Sequence, residues 1–386
     1  MRQVPTRAWH CSIAIIALAV VIPCPGHTTE ASSPKEPCDR IPARLKHVGV
    51  VTGQGMLAKK LWYEQTGLGK ITDIRWGNFD GEPGEEFVVV GTQGAAFLRP
   101  DGGQKSTVRF DWRAIGEYWG EHVVAADMDN DGQCEFLDRA GAWLPPVALL
   151  SHRGKPLWTY TSDDGVDNAV AGDVNGDGRL EVAVGFNGGG GVHLVDRDGR
   201  TLWKQPDGNV WHLEMLDVNG DGKPEIVHSN AAGQITVRDA QGQVLWRTED
   251  KTSVSDFCTV AWPNVTPAAL LFVDEGHLRV LDVRGATKAS KSLLLTAAGP
   301  SVWFTWQSAA WVTQKGQPAR LAVLLDQEVY DRGLLLLFDD ALNLLYQEVL
   351  GTSGAALYAG GPLAGQGRVL VGAEDQVWEY RLTPRE

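Results

Sequence analysis

From Ile71 onward the chain alternates short apolar runs with polar turns, and helix-period stretches are scarce, which predicts strands rather than helices. Four runs, "EFVVVG", "CEFLD", "LEVAVG" and "PEIVHS", each follow an acidic loop. After the last three, a further strand closes on a polar turn and a tryptophan. The segments "LLSHRGKPLWTY", "HLVDRDGRTLWKQ" and "TVRDAQGQVLWRT" put Trp158, Trp203 and Trp246 in register. With the strand ahead of each acidic loop ("VVAAD", "AVAG", "HLEML"), the unit holds four strands. The acidic loops start at residues 78, 127, 173 and 217, spacings of 49, 46 and 44, and four antiparallel strands at that period predict a propeller blade.

The strand pattern outlasts the acids. "AALLFVDEGHLRVLDVRG" and "ARLAVLLDQEVYDRGLLLLFDDALNLLYQEV" read as the middle and outer strands of two further blades. The last unit, "ALYAGG", "RVLVGAED" and "QVWEYRL", ends one strand short. "KKLWYE", Lys59 to Glu64, carries the Leu-Trp signature of the blade-closing strands and is the expected fourth strand. Closing the ring through both termini removes the exposed edges of an open array. The expectation is an all-β, seven-bladed β-propeller with calcium loops in a subset of blades, occupying 46–386.

Composition fits this picture. The 386 residues include 45 Gly and 15 Trp against 4 Met, which suits many short strands and tight turns. A formal charge of -13 without a Lys/Arg stripe argues against a nucleic-acid partner. Arg2 and Arg7 precede an apolar run from Ser12 to Ile22, too short to span a bilayer comfortably, and then "PCPGHTTEASS". That reads as a signal peptide over 1–26, with cleavage after Gly26 or Ala31, followed by a linker over 27–45. The processed protein is expected to be secreted or periplasmic, monomeric and not stably inserted in a membrane. It retains Cys38, Cys134 and Cys258, an odd number that leaves one bridge plus one thiol, or three thiols, equally open.

The acidic loops carry the most specific chemistry. Counted from Asp173, side-chain oxygens fall at positions 1, 3, 5 and 9, with Gly178 at position 6 and the Arg179 carbonyl at position 7. A chain curling round a hard cation presents alternate residues inward and needs glycine at its sharp turn. Carboxylate, amide and carbonyl oxygens on a pliable loop suit calcium better than magnesium, which keeps more of its waters. Position 12 is Asp138, Val184 or His228 and the flanks are strands, which excludes an EF-hand.

These loops resemble the FG-GAP (VCBS-type) repeats of integrin-α-like β-propellers, strongly in four blades and by strand pattern elsewhere between Ile71 and Leu382. The resemblance implies calcium ligands Asp127, Asp129, Asp131, the Gln133 carbonyl and Glu135 in one loop. It implies Asp173, Asn175, Asp177, Arg179 and Glu181 in a second, and Asp217, Asn219, Asp221, Lys223 and Glu225 in a third. In the first loop Pro83 stands at position 6 and cannot take a positive φ, so Asn78, Asp80 and Glu86 read as a decayed site or a metal-free turn. The closing tryptophans are similar to the DxxGxxxW repeats of quinoprotein and outer-membrane assembly propellers, which implies packing between blades.

No G-x-S-x-G, H-E-x-x-H or P-loop is present, and the nine histidines are scattered. The leading expectation is a calcium-binding module for an extracellular glycan or protein. A lyase-like or quinoprotein-like enzyme and a structural or assembly scaffold are the alternatives on the same fold. The loops entering the first strands, opposite the acidic loops, carry Trp119, His122, Asp164, Asp167, Trp211, His212, Trp303 and Trp306. Aromatic faces beside carboxylates and imidazoles suit sugar rings, and these residues are the expected ligand face. The competing reading is that the tryptophans fill blade joints and the acids solvate turns.

Overall fold

Strands that are apolar on both faces must be covered on both faces, and the seven sheets solve this by standing side by side in a ring. Each is a four-stranded antiparallel sheet in sequence order, apart from the last. The computed structural model describes residues 57–64, 67–116, 120, 122–139, 146–248, 254, 256–274, 276–293, 305–327, 332–350 and 353–382, all in one unit spanning Pro37–Glu386. The expected signal peptide, its cleavage sites, the linker, Cys38, Trp119 and Trp303 lie outside the described residues.

Strand β1 (Leu57–Glu64) comes first among the described strands and belongs to the last blade. Blade 1 is β2 (Ile71–Gly77), β3 (Glu86–Gly91), β4 (Gly94–Leu98) and β5 (Gln104–Arg109). Blade 2 is β6 (Val123–Ala126), β7 (Glu135–Asp138), β8 (Val147–Leu150) and β9 (Pro156–Tyr160). Blade 3 is β10 (Val166–Gly172), β11 (Glu181–Phe186), β12 (Gly191–Val195) and β13 (Thr201–Gln205). Blade 4 is β14 (Val210–Leu216), β15 (Glu225–Asn230), β16 (Ile235–Arg238) and β17 (Val244–Arg247). Blade 5 is β18 (Cys258–Trp262), β19 (Val265–Asp274), β20 (His277–Asp282) and β21 (Thr287–Ser292). Blade 6 is β22 (Thr305–Gln314), β23 (Gln317–Gln327), β24 (Arg332–Phe338) and β25 (Leu344–Val349). Blade 7 takes β26 (Gly354–Tyr358), β27 (Arg368–Ala373) and β28 (Gln376–Leu382), then β1 as its outer strand.

The N-terminal strand therefore closes the ring. β1 runs antiparallel to β28 from the Leu57–Leu382 pair to the Glu64–Gln376 pair. Antiparallel order also sorts the loops. The acidic loops and the turns between third and fourth strands share one face, while blade-to-blade connections and the turns between second and third strands share the other.

Seven apolar clusters hold the ring, one at each joint between neighbouring blades. In β11, Val182, Val184 and Phe186 enter the cluster shared with blade 2, while Ala183 enters the cluster shared with blade 4. That two-sided burial explains why middle strands read as unbroken apolar runs. Outer strands face solvent and stay mixed, as in "QKSTVR" and "TLWKQ".

Tryptophans lock the joints from the outer strands. The indole N–H groups of Trp158, Trp203 and Trp246 donate to the carbonyls of Arg197, Ala240 and Val283, at 2.7, 2.9 and 3.0 Å, each in the next blade's turn. A Cβ on Gly199 or Gly242 would meet Trp158 or Trp203 at 2.9–3.0 Å, so those turns need glycine for close approach as well as for positive φ. Trp62 on β1 packs the same way on Gly102 of blade 1. The expected structural role of the tryptophans thus holds. Cys134 and Cys258 are free thiols, so no bridge joins those two.

Candidate functional site

The three best acidic loops fold on one plan. In blade 3, both carboxylate oxygens of Asp173 accept backbone N–H groups, from Gly176 (2.7 Å), Asp177 (3.0 Å) and Gly178 (2.8 Å). Asp217 repeats this with Gly220, Asp221 and Gly222, and the three bonds hold its carboxyl below the usual range. Position 6 is the pivot. Gly132, Gly178 and Gly222 all take φ of 85–86° there and donate to the carboxylate at position 1. The glutamate at position 9 closes each loop from beneath. Glu135, Glu181 and Glu225 are buried and accept the N–H of Met128, Val174 and Val218.

Blade 2 gathers the tightest donor set. Carboxylate oxygens of Asp127, Asp129 and Glu135 all lie within 4.8 Å of one another. Burial, with Asp129, Asp131 and Asp127 crowding alongside, pushes the Glu135 carboxyl up to about 7 against the Met128 hydrogen bond. One Asp129 oxygen is held by Arg197 at 2.8 Å, and the other is buried without a hydrogen-bond donor. A buried, unpartnered carboxylate oxygen among like charges is a donor set that a cation fits.

In blades 3 and 4 an amide takes the central place. Asn175 Nδ2 donates to Asp177 (3.3 Å) and Glu181 (2.8 Å), and Asn219 Nδ2 donates to Asp221 (3.1 Å) and Glu225 (2.7 Å). The carbonyl-bearing residues Gln133, Arg179 and Lys223 follow directly, each with its N–H bonded to the aspartate at position 5.

The first loop departs from this plan. Pro83 has neither the N–H nor the φ that position 6 requires, and Lys105 reaches in from β5 to sit between Asp80 (2.5 Å) and Glu86 (2.9 Å). Glu86, fully buried, also accepts the N–H of Phe79 and Asp80. An ammonium stands among the acids of this blade.

The expected ligand face is divided by burial. His122 is exposed, Asp164, Asp167 and Trp211 are half-buried, and His212 and Trp306 are buried. Trp306 joins the apolar cluster between blades 5 and 6, and Asp164 packs over the Gly188–Gly190 turn. His212 is the hub of a polar group: Nδ1 lies 3.2 Å from Asp256, Nε2 lies 3.4 Å from Glu214, and Asn168 is 3.2 Å away. Burial pulls its pKa down, yet the two carboxylates outweigh that and raise it. Burial and the nearby Asp256 push the Asp167 carboxyl up to about 7. Sequence reasoning missed Asp256, Glu214 and Asn168. Glu214 was within reach, because strand alternation puts it on the same side as His212.

A model of the FG-GAP-like repeat matches residues 173–228, which run from the blade 3 acidic loop through that of blade 4 into β15. The propeller thus carries an FG-GAP-like repeat in blades 3 and 4. The repeat protein is 28% identical over 129 residues to integrin alpha-3 of Mus musculus, covering 28% of this chain and 12% of that protein. It is 27% identical over 153 residues to integrin alpha-3 of Cricetulus griseus, covering 33% and 14%. The chain thus spans only a small part of the length of these curated relatives. Among solved structures, BBS1N in complex with ARL6DN, soaked with lead, superposes with a TM-score of 0.56 at 11% identity, over 86% of this chain and 98% of that one. The mercury-soaked form gives 0.55 at 10% identity. At that identity the likeness speaks for the fold alone. Among the described residues no helix is long and apolar enough to cross a membrane.

Proposed function

We propose that this FG-GAP-repeat propeller is an exported binding module that holds calcium in blades 2, 3 and 4 and meets a protein or glycan ligand on the opposite face. The observation carrying the calcium reading is the convergence of Asp127, Asp129 and Glu135, with one Asp129 oxygen buried and unpartnered. A bound ion would supply the positive charge that these carboxylates lack. Asn175 and Asn219 would turn their amide oxygens inward, and the glutamates would keep their bonds to the loop N–H groups. Blade 1 needs no ion, since Lys105 already answers Asp80 and Glu86.

The binding reading rests on the fold and on the groups at the inner strands. Asp167, Trp211 and exposed His122 offer aromatic, imidazole and carboxylate chemistry near the polar hub at His212. No nucleophile stands beside a base in this set, which favours binding over turnover.

The test is metal analysis of protein prepared without chelator, followed by calcium titration after stripping. Two to three ions per chain are expected, with Asp129→Ala lowering the count by one. Protein that carries no calcium and binds none on titration would refute the calcium reading. Array screening of Trp211→Ala against the parent tests the ligand face, and unchanged binding to every array hit moves the site elsewhere.

A further inference from the structure

Trp62, Trp158, Trp203 and Trp246 fill the outer-strand position of their blades, Ala289 and Tyr346 hold it on β21 and β25, and the joint between blades 1 and 2 is open. Ser106 on β5 pairs with Phe97, and the register slips directly afterwards at Leu98. Trp203 pairs with Leu194 and Trp158 with Leu149, with the same slip one residue later. Ser106 therefore holds the tryptophan position of its blade. Around it lies a cleft of about 500 Å³, lined by Phe79, Phe97, Ser106, Gln133, His152 and Arg153 among others. That volume is in the range of ligand sites.

The walls match the tryptophan seats elsewhere. Phe79 and Phe97 stand where Val174 and Leu194 flank Trp203 in the joint between blades 3 and 4. His152 holds the turn position whose carbonyl accepts the indole N–H at Arg197, Ala240 and Val283. Arg153 holds the next position, from which Arg284 stacks 4.7 Å from the ring centre of Trp246. The turn glycine differs: a Cβ on Gly154 would meet the Arg109 carbonyl rather than an indole. The larger phenylalanines take up part of the missing indole's space and leave the rest as the cleft.

We propose that this cleft receives the tryptophan side chain of a partner protein, which completes the joint from outside as Trp158, Trp203 and Trp246 complete theirs from within. Three features favour indole over an aliphatic or phenyl group. The turn position of His152 supplies a carbonyl to an N–H donor, Arg153 supplies a cation to a π face, and Phe79 and Phe97 supply apolar walls. The one acid in the lining, Asp80, is already paired with Lys105 and so presents no net charge to the guest.

The probe is N-acetyl-tryptophanamide, followed by amide chemical shifts on the intact chain. Saturable shifts at Ser106, His152 and Arg153 are expected, with affinity at least about tenfold above N-acetyl-leucinamide. Ser106→Trp fills the cleft with the chain's own indole and should abolish the shifts while raising the melting temperature. Should that variant fail to fold, Ser106→Leu blocks the same space with less bulk and should weaken binding at least about tenfold. Absence of saturable shifts in the parent, or undiminished binding by the folded blocking variant, overturns the proposal. So does tighter binding of free tryptophan than of the amide, which would mark a metabolite site.

Discussion

The indole N–H of Trp158 donates to the Arg197 carbonyl at 2.7 Å, from the outer strand of blade 2 into a turn of blade 3. The bond is made between blades rather than within one, so its loss loosens a joint and leaves the sheet itself intact. Trp158→Phe keeps most of the packing and removes the donor, for an expected loss of about 1 kcal/mol. Trp158→Ala removes the half-buried ring as well and should cost about 2–4 kcal/mol. The neighbour Leu157 is 55% exposed, and Leu157→Gln should shift stability by less than about 0.5 kcal/mol. Urea unfolding of the three variants checks the order, and equal losses at Trp158 and Leu157 would rule out the lock.

Acid should weaken the fold through His193. Burial holds this imidazole down at about 4, where it stacks on Phe186 and bonds the Tyr160 hydroxyl at 3.0 Å. The unfolded chain protonates near the ordinary value of about 6.5 while the folded chain does not, so stability falls as pH drops through that window. Between about pH 7 and 5 the loss is about 2 kcal/mol, and His193→Gln should flatten that part of the profile. His212 has the opposite sign: its raised value gives stability at low pH that disappears as pH climbs through the folded pKa. Urea midpoints of parent and His193→Gln across this range decide the matter, and parallel profiles would discard it.

The blades were legible in the sequence because two-sided burial leaves unbroken apolar runs, and because "KKLWYE" bears the outer-strand signature that pairs it with β28. The acidic loops were legible because a loop's own spacing sets which residues turn inward. Lys105 was not legible as the partner of Asp80 and Glu86, since only the pairing of β3, β4 and β5 carries it across the blade. Burial also escaped the reading at the inner strands: His212 and Trp306 sit beside the blade-entering loops in sequence but are buried, one in a polar hub and the other in an apolar cluster.

Lys105 should be worth more than a surface lysine. Its partner Glu86 is fully buried, and Lys105→Met leaves that carboxylate and Asp80 without their cation. Removing one member of such a pair costs about 3 kcal/mol, more than the pair's net contribution, because the remaining charge stays buried. Denaturant unfolding at neutral pH tests this. A loss under about 0.5 kcal/mol at neutral pH would show that the ammonium is incidental.

Chelation should act on blades 2, 3 and 4 and spare blade 1. With calcium at about a hundred times its dissociation constant, each occupied site adds about 2.7 kcal/mol, so stripping should lower the melting temperature clearly. Asp173→Asn and Asp217→Asn each remove the carboxylate that organises three loop N–H groups and should each reduce the chelator effect. Glu82→Gln, in the loop held by Lys105, should leave it unchanged. A melting temperature indifferent to chelator in the parent would contradict the proposed loading.

Ring closure gives the last prediction. β1 is the outer strand of blade 7 and covers β28 along its length, while its Trp62 packs on the Gly102 turn of blade 1. A chain starting after Glu64 loses both contacts: the backbone edge of β28 is bared and the joint between blades 7 and 1 loses its indole. Trp62→Ala separates the two effects, because it empties the joint but keeps the strand. Trp62 is buried, and its truncation should cost about 3–5 kcal/mol with the oligomeric state of the parent unchanged. Deleting the strand should cost more and add concentration-dependent association, since a bared strand edge is a template for pairing. Light scattering with urea unfolding compares them. If the shortened chain stays monomeric and unfolds at the parent's midpoint, β1 is an appendage and the ring is closed by blades 1 and 7 without it.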